Sequence, residues 1–422
     1  MTWPCIFAAQ PALAIFTKTK PSLMKSKLIL LSSVTLLAGL LATKVSASVT
    51  IGSHDNIQVG GFFSQGYISS SGNNYPFENK DGTADFREMG VNVSGTVGTH
   101  LRVGAQLFAQ RLGNYGDDSV KLDWAVADYN VCQEFGVRVG RVKYPKGLYG
   151  EALDLDVIRP YIFLPMSLYN PVVRDFNSSF NGGMIYGTIG AGRGGSVDYK
   201  AFYGKIPMSP DQGVADFFNT TSLYASPGVS HLGMDYTAGS QLVWNTPVTG
   251  LKAAYSYSFF NNLDATGKFA LYPVAGVDLF TKKYSYNTLS LEYARDSWTL
   301  AAEWQTVGGD FSVITPFGTS LSKNRVTNWS LAVARRLGER LEAGAYFSTQ
   351  RNTNPSAGSR SADNHNDDWT LSLRYDVNEH LTVKAEGHYI DGTYNVFNTV
   401  RTPNPAIRDH SSFYAVKTTF SF

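Results

Sequence analysis

The residues best able to do chemistry crowd one stretch. Between 144 and 179, Glu151, Asp154, Asp156, Arg159, Arg174 and Asp175 are interspersed with Tyr161, Ile162, Phe163, Leu164 and Met166. Acids and bases mixed at this density make no nucleophile. They make an electric field. A surface loop this apolar would not stay solvated, so the stretch is expected to fold back against the rest of the chain.

Bond-making chemistry is weakly represented. Ser230-His231 and His410-Ser411 set a base beside a hydroxyl in sequence, but a catalytic pair needs a hydrogen bond in space and a third, orienting group. No His-Glu-x-x-His pattern occurs. Gly190, Gly192, Gly194 and Gly195 imitate a phosphate loop, yet they join two expected strands and open no helix, so they read as a tight turn. Asp363, Asn364, Asn366, Asp367 and Asp368 gather oxygen atoms of the kind Ca²⁺ accepts but match no EF-hand and read as a solvated loop. No catalytic residue, metal ligand or cofactor is assigned.

The elements that must position the charged stretch are strands. Segments at about 57–68, 86–98, 100–111, 119–131, 135–143, 180–190, 195–204 and 233–245 alternate apolar and polar residues. So do those at about 249–260, 283–294, 297–306, 326–337, 340–350, 367–377, 380–390 and 411–422. A period of two marks a strand with two different faces. Short turns (Gly98-Thr99, Ala294 to Ser297, Leu337 to Glu339, Asn378-Glu379) alternate with long polar connections such as 351–366 and 391–410. Trp369, Leu371, Leu373, Tyr375 and Val377 share one face, Thr370, Ser372, Arg374 and Asp376 the other. The next segment repeats this, with Leu381, Val383, Ala385 and Tyr389 opposite Thr382, Lys384, Glu386 and His388.

Beyond residue 48 no apolar run is long enough for a membrane helix, and a backbone in lipid without helices is satisfied only in a closed barrel. The fold expected is therefore all-β, a transmembrane antiparallel barrel of about 16 strands with a wet lumen. Alternation sends Arg102, Arg138, Lys200, Lys252, Arg374, Lys384 and Lys417 to the inner wall, either facing the 144–179 segment or paired with Glu292, Glu303, Glu342, Asp376 and Glu386. With Val137 and Val139 outward, Arg141 and Lys143 would face lipid as well, a costly placement without a bulge, so their faces are left unassigned. Trp244, Trp298, Trp304, Trp329 and Trp369 fall near strand ends, where amphipathic rings prefer the membrane interface; Trp124 does not.

The N-terminus reads as an export leader. Lys25 and Lys27 precede the apolar run Leu28 to Ala42, and Val45-Ser46-Ala47 offers small residues for cleavage before Ser48. Residues 1–47 form the leader, with the signal peptide at 24–47 and Met24 in the place of an initiator; the barrel takes 48–422. Removing the leader's five lysines from 36 basic side chains leaves 31 against 34 acidic ones, a net of −3. That balance gives no footing for nucleic acid. Only Cys132 remains after processing, which excludes an intramolecular disulfide.

The last strand, Ser412 to Phe422, places Tyr414, Val416, Thr418, Phe420 and Phe422 at alternate positions and stops on Phe. It resembles the closing strand of Gram-negative outer-membrane barrels, in which Phe420 and Phe422 would form the signal read by the barrel-assembly machinery. Strand number, the length of the third long connection and the terminal Phe together resemble the sixteen-stranded porins over the whole mature chain. Gly140-Arg141-Val142-Lys143-Tyr144-Pro145-Lys146-Gly147 is similar to the start of the third loop in phosphate-selective porins. The resemblance implies an integral protein of the outer membrane, a homotrimer in contact with lipid and lipopolysaccharide, passing small hydrophilic solutes without cofactor or energy source. It also implies that 144–179 folds inward, with Asp154, Asp156, Arg159, Arg174 and Asp175 at the constriction. The alternatives are a solute-specific, anion-selective channel and an outer-membrane hydrolase. Mass spectrometry of the mature protein is expected to find Ser48 at the N-terminus; a protein retaining Met1 would refute the leader assignment.

Overall fold

The computed structural model describes residues 49–51, 57–220, 223–355 and 358–422; the expected leader and Ser48 lie outside them. The first strands are β1 (Ile57–Ser71), β2 (Phe86–Val97), β3 (Leu101–Leu112), β4 (Lys121–Cys132), β5 (Phe135–Lys143), β6 (Ser179–Gly190), β7 (Ser196–Lys205) and β8 (Tyr236–Asn245). They continue as β9 (Leu251–Phe269), β10 (Tyr272–Arg295), β11 (Trp298–Thr315), β12 (Gly318–Leu337), β13 (Leu341–Asn352), β14 (His365–Asp376), β15 (Leu381–Asp391) and β16 (His410–Ser421). Each pairs antiparallel with the next, and β16 pairs with β1 from Ser412 opposite Ser71 to Ser421 opposite Phe62. The ring of 16 is closed. At its seam, Gly61 and Phe422 exchange two backbone hydrogen bonds of 3.0 Å.

Each expected segment is a strand, and alternation sorts side chains as the sequence implies. Trp369, Leu371, Leu373 and Tyr375 of β14 are exposed on the outside, while Thr370, Ser372 and Arg374 are buried within. On β16, Tyr414, Val416 and Phe420 are exposed and Phe413, Ala415, Lys417 and Thr419 are buried. Trp244, Trp298, Trp304, Trp329 and Trp369 all lie exposed on the outer face. Phe347 stands between two of them, its ring 4.9 Å from Trp329 and 4.3 Å from Trp369. Such a belt places amphipathic rings at the lipid–water boundary.

Two connections differ from expectation. Where long loops follow the segments ending near 260 and 306, β9 and β10 instead run on to a turn at Ala270-Leu271, and β11 and β12 to one at Pro316-Phe317. The cause is an apolar inner face that continues above the belt. Leu263, Ala265, Val277, Leu279, Phe311 and Val313 pack with Val229 and Leu232 of a supplementary strand, Tyr224–Gly233, that pairs with the top of β9. Elsewhere the short turns and the long connections at 353–364 and 392–409 stand as read.

Leu371 is 72% exposed on the outer wall, between the interfacial Trp369 and Tyr375 of the same strand. Leu371→Arg is expected to cost roughly 2–4 kcal/mol of folding free energy in lipid vesicles, because the charge replaces a lipid contact. A near-neutral result would place this wall against water.

Candidate pore constriction

Residues 144–178 turn back from the end of β5 into the barrel, as four short turns of helix and extended chain: Gly150–Ala152, Asp156–Ile158, Pro171–Val173 and Arg174–Asn177. Hydrogen bonds fasten the segment to the wall of β9–β15. Glu303 of β11 accepts from the Leu148 amide at 2.8 Å and the Tyr169 hydroxyl at 2.9 Å. Tyr161 donates to the Val333 carbonyl at 2.8 Å. Glu386 of β15 accepts the amides of Ile162 at 2.7 Å and Phe163 at 3.1 Å. The tip, Ile162, Phe163 and Met166, lies on an apolar pad with Phe86 of β2 and Phe413 of β16. Phe163 stacks on Phe86 at 5.3 Å.

The charged side chains of this segment fall into two groups. In the first, Asp154 bonds Lys143 and lies 2.6 Å from Arg174, whose guanidinium also reaches Asp123 at 2.8 Å and covers the Phe108 ring at 3.7 Å. Burial pushes the Asp154 carboxyl up, against the pull of Arg174. For Arg174, burial opposes the charge, but Asp123 and Asp154 outweigh it and hold the guanidinium above its ordinary value. Two acids meet two bases here.

In the second group, Asp156 lies 3.1 Å from Lys384, 3.5 Å from Lys417 and 3.7 Å from Arg159, and accepts from the Thr419 hydroxyl at 2.7 Å. Burial acts to raise its carboxyl, but Lys384, Lys417 and Arg159 together hold it well below the usual carboxylate range. Lys417 also bonds Glu88 of β2. Three cations therefore share two carboxylates. Arg159 is the least neutralised of them: its guanidinium donates to the carbonyls of Leu153 and Ile162, both at 3.1 Å.

Cavities lie on both sides of the inward segment. One is lined by Phe86, Glu88, Leu112, Arg174 and Lys417, the other by Tyr149, Glu292, Ala301 and Ala334. Arg159 and Leu164 line both. Asp175 stands apart, 2.7 Å from the exposed Lys121 at the mouth.

The remaining inner-wall bases point inward as read, most of them against acids. Arg138 meets Asp128 at 2.8 Å and Glu151 at 3.8 Å, and Lys200 bonds Glu151. Lys252 faces Glu292 at 3.4 Å, Arg374 lies 2.9 Å from Asp376, and Arg102 donates to Ser94 at 3.2 Å. Alternation missed Asp123. A register shift between Gln106 and Leu107 opposite β4 turns it inward and leaves Leu122 exposed, which also brings Trp124 against the inner apolar cluster. Gly140, at φ 122°, marks where β5 departs from strict alternation, and Lys143 is buried inside, 2.7 Å from Asp123. Glu88 carried no signal beyond its parity.

Ser230, His231 and His410 of the two Ser–His pairs have other partners. Ser230 donates to the Thr266 carbonyl at 3.2 Å and His231 faces Asp264 at 3.2 Å, while His410 faces Asp391 at 3.0 Å. The loop acids are split between faces: Asp363 pairs with Arg360, Asp368 turns inward to His388, and Asp367 turns outward to Arg351.

No protein-family model matches the chain, and no curated protein matches it significantly. Solved structures do. The outer-membrane channel DcaP of Acinetobacter baumannii is 11% identical with a TM-score of 0.54, over 89% of this chain and 100% of that one. The anion-selective porin from Comamonas acidovorans is 12% identical with a TM-score of 0.52, over 87% and 99%. The outer-membrane protein OmpT of Vibrio cholerae, in trimer form, is 13% identical with a TM-score of 0.50, over 87% and 99%. With its closed ring of 16 strands, its aromatic belt and its inward third loop, this chain has the fold of the Gram-negative outer-membrane porins.

Proposed function

We propose that this protein is an outer-membrane porin, a passive channel for ions and small hydrophilic solutes, with its narrowest point at Arg159. The observation that carries the reading is that Arg159 lines both cavities bordering the inward segment. The surrounding charge favours anions, because Arg159, Lys384 and Lys417 exceed Asp156 and Glu88 by one. Arg174 belongs to the same constriction, but two carboxylates already hold it. The anion-selective porin of similar fold lends support to this preference, and the trimer form of the Vibrio protein to a homotrimer. Phe420 and Phe422, at the seam of the ring, suit recognition by the barrel-assembly machinery, and the outer belt suits lipid and lipopolysaccharide. A solute-specific channel would use the same bases as its binding site.

Single-channel recording in planar bilayers tests the reading. Stepwise currents in threes are expected, with a reversal potential under a salt gradient that favours anions. Arg159→Ala is expected to raise conductance and move the reversal potential toward cations, and Arg174→Ala to move it less. Saturable current blocked by one solute would turn the reading to the solute-specific channel. A folded, inserted barrel that passes no current would overturn it and leave the hydrolase alternative to be tested by ester turnover.

Asp156 is expected to hold the constriction in place, since it alone joins the inward segment to both Lys384 and Lys417. Asp156→Asn leaves these buried ammonium groups short of a counter-charge, at a cost of about 3–5 kcal/mol. The expected sign is protease cleavage within 144–178 of a barrel that still folds. Because the folded-state carboxyl is held low, its contribution is complete above the unfolded value of ~3.9 and is lost only as pH falls through the lower folded value. Wild-type protein should therefore remain protected at pH 4, and an Asp156→Asn loop as resistant as wild type would refute the assignment.

A further inference from the structure

A polar cluster that the channel does not use lies outside the barrel, just above the aromatic belt. Alternation puts His365 and Asp367 of β14, Asp391 of β15 and His410 of β16 on the same outward face as Trp369, Tyr389 and Tyr414. Asp367 and Asp391 are direct cross-strand partners. Two carboxylates opposite each other on one sheet face repel, and the Arg351 guanidinium, 2.6 Å from Asp367, answers only one of them. We propose that His365, Asp367 and Asp391 form a binding site for a divalent transition-metal ion, of which Zn²⁺ is the type, at the extracellular rim.

Geometry and donor chemistry carry this assignment. One ligand atom from each of the three side chains lies within 4.8 Å of the others. The His365 Nδ1 is 3.0 Å from the Ser361 carbonyl and donates to it, which leaves Nε2, 3.8 Å from Asp391 Oδ2, as the nitrogen placed to take an ion. An imidazole whose far nitrogen donates to a backbone carbonyl is the usual arrangement of a metal-bound histidine. Gly392 leaves room for His365: it has φ 96°, and a Cβ would come within 2.2 Å of the His365 carbonyl oxygen and 2.7 Å of its Cδ2.

Neighbouring side chains orient the carboxylates, with Arg351 directly cross-strand from His365 and Thr349 from Asp367. His410 Nδ1 is 3.0 Å from Asp391 Oδ1, and Asp367 accepts from Thr349 at 2.5 Å and Arg351 at 2.6 Å. Each oxygen retains a further lone pair. One imidazole with two carboxylates suits Zn²⁺ or Co²⁺ and leaves a fourth position open, whereas Ca²⁺ and Mg²⁺ prefer oxygen alone. The ion would neutralise the facing acids and clip β14 to β15 where both enter their long connections.

The test uses mature protein without a histidine tag, refolded in detergent, stripped with chelator and titrated with Co²⁺. One Co²⁺ per chain is expected, with visible d–d absorption that Zn²⁺ abolishes and excess Ca²⁺ does not. His365→Ala and Asp391→Asn are each expected to weaken binding by about tenfold or more. His231→Ala, on a different hairpin, is expected to leave it unchanged. Heat-modifiable migration on gels verifies that each variant folds. Absence of binding by folded wild type, displacement by Ca²⁺, or binding that survives His365→Ala would each overturn the proposal.

Discussion

A peptide group in the hydrocarbon core of a membrane has no water to bond, and everything else in this protein follows from that. Every strand must have two neighbours, so the last must return to the first, as β16 does along ten residue pairs of β1. Closure in turn dictates the period of two, with one face for lipid and one for the interior. It also explains why the chain needs no apolar core in its transmembrane wall. Among the described residues, apolar clusters gather at the inward segment and the tall hairpins.

That exclusion creates a second constraint. Inner-wall bases that would be hydrated in an open lumen are covered by residues 144–178, and Lys384 and Lys417 are each only 1% exposed. A buried ammonium group is tolerated only with a counter-charge and hydrogen bonds. The inward segment supplies both, through Asp156 to Lys384 and Lys417, Glu151 to Lys200, and Asp154 to Lys143. Wall acids return the favour by accepting the segment's amides, as Glu386 and Glu303 do. The charges of the inner wall and of the inward segment thus fasten one to the other.

Much of this was legible in the sequence, because period two is imposed by geometry and survives in every strand. The 16 segments, the inward direction of Arg102, Arg138, Lys200, Lys252, Arg374, Lys384 and Lys417, and the folding back of 144–179 could all be read from residue types. The tall hairpins were missed because Asn261, Asn262, Lys282 and Lys283 interrupt the pattern and look like loop ends, although Leu263 and Leu279 resume it. Asp123 was missed because a single register shift reverses a face, and no local residue announces it. Partner choice was beyond reach too: nothing in the spacing says that Asp154 meets Arg174 while Asp156 meets Lys384.

That partner choice matters more than composition. Arg159 and Arg174 are the same residue type in the same segment, yet two carboxylates flank Arg174 at 2.6 and 2.8 Å, whereas Arg159 relies on two carbonyls and on a carboxylate 3.7 Å away that two lysines share. A cation matched by its own carboxylates adds little to the field beyond a few ångströms, while one matched only by carbonyl dipoles keeps most of its charge. Of the two arginines in the inward segment, Arg159 is therefore the one left incompletely paired, while Arg174 is held by carboxylates on two sides.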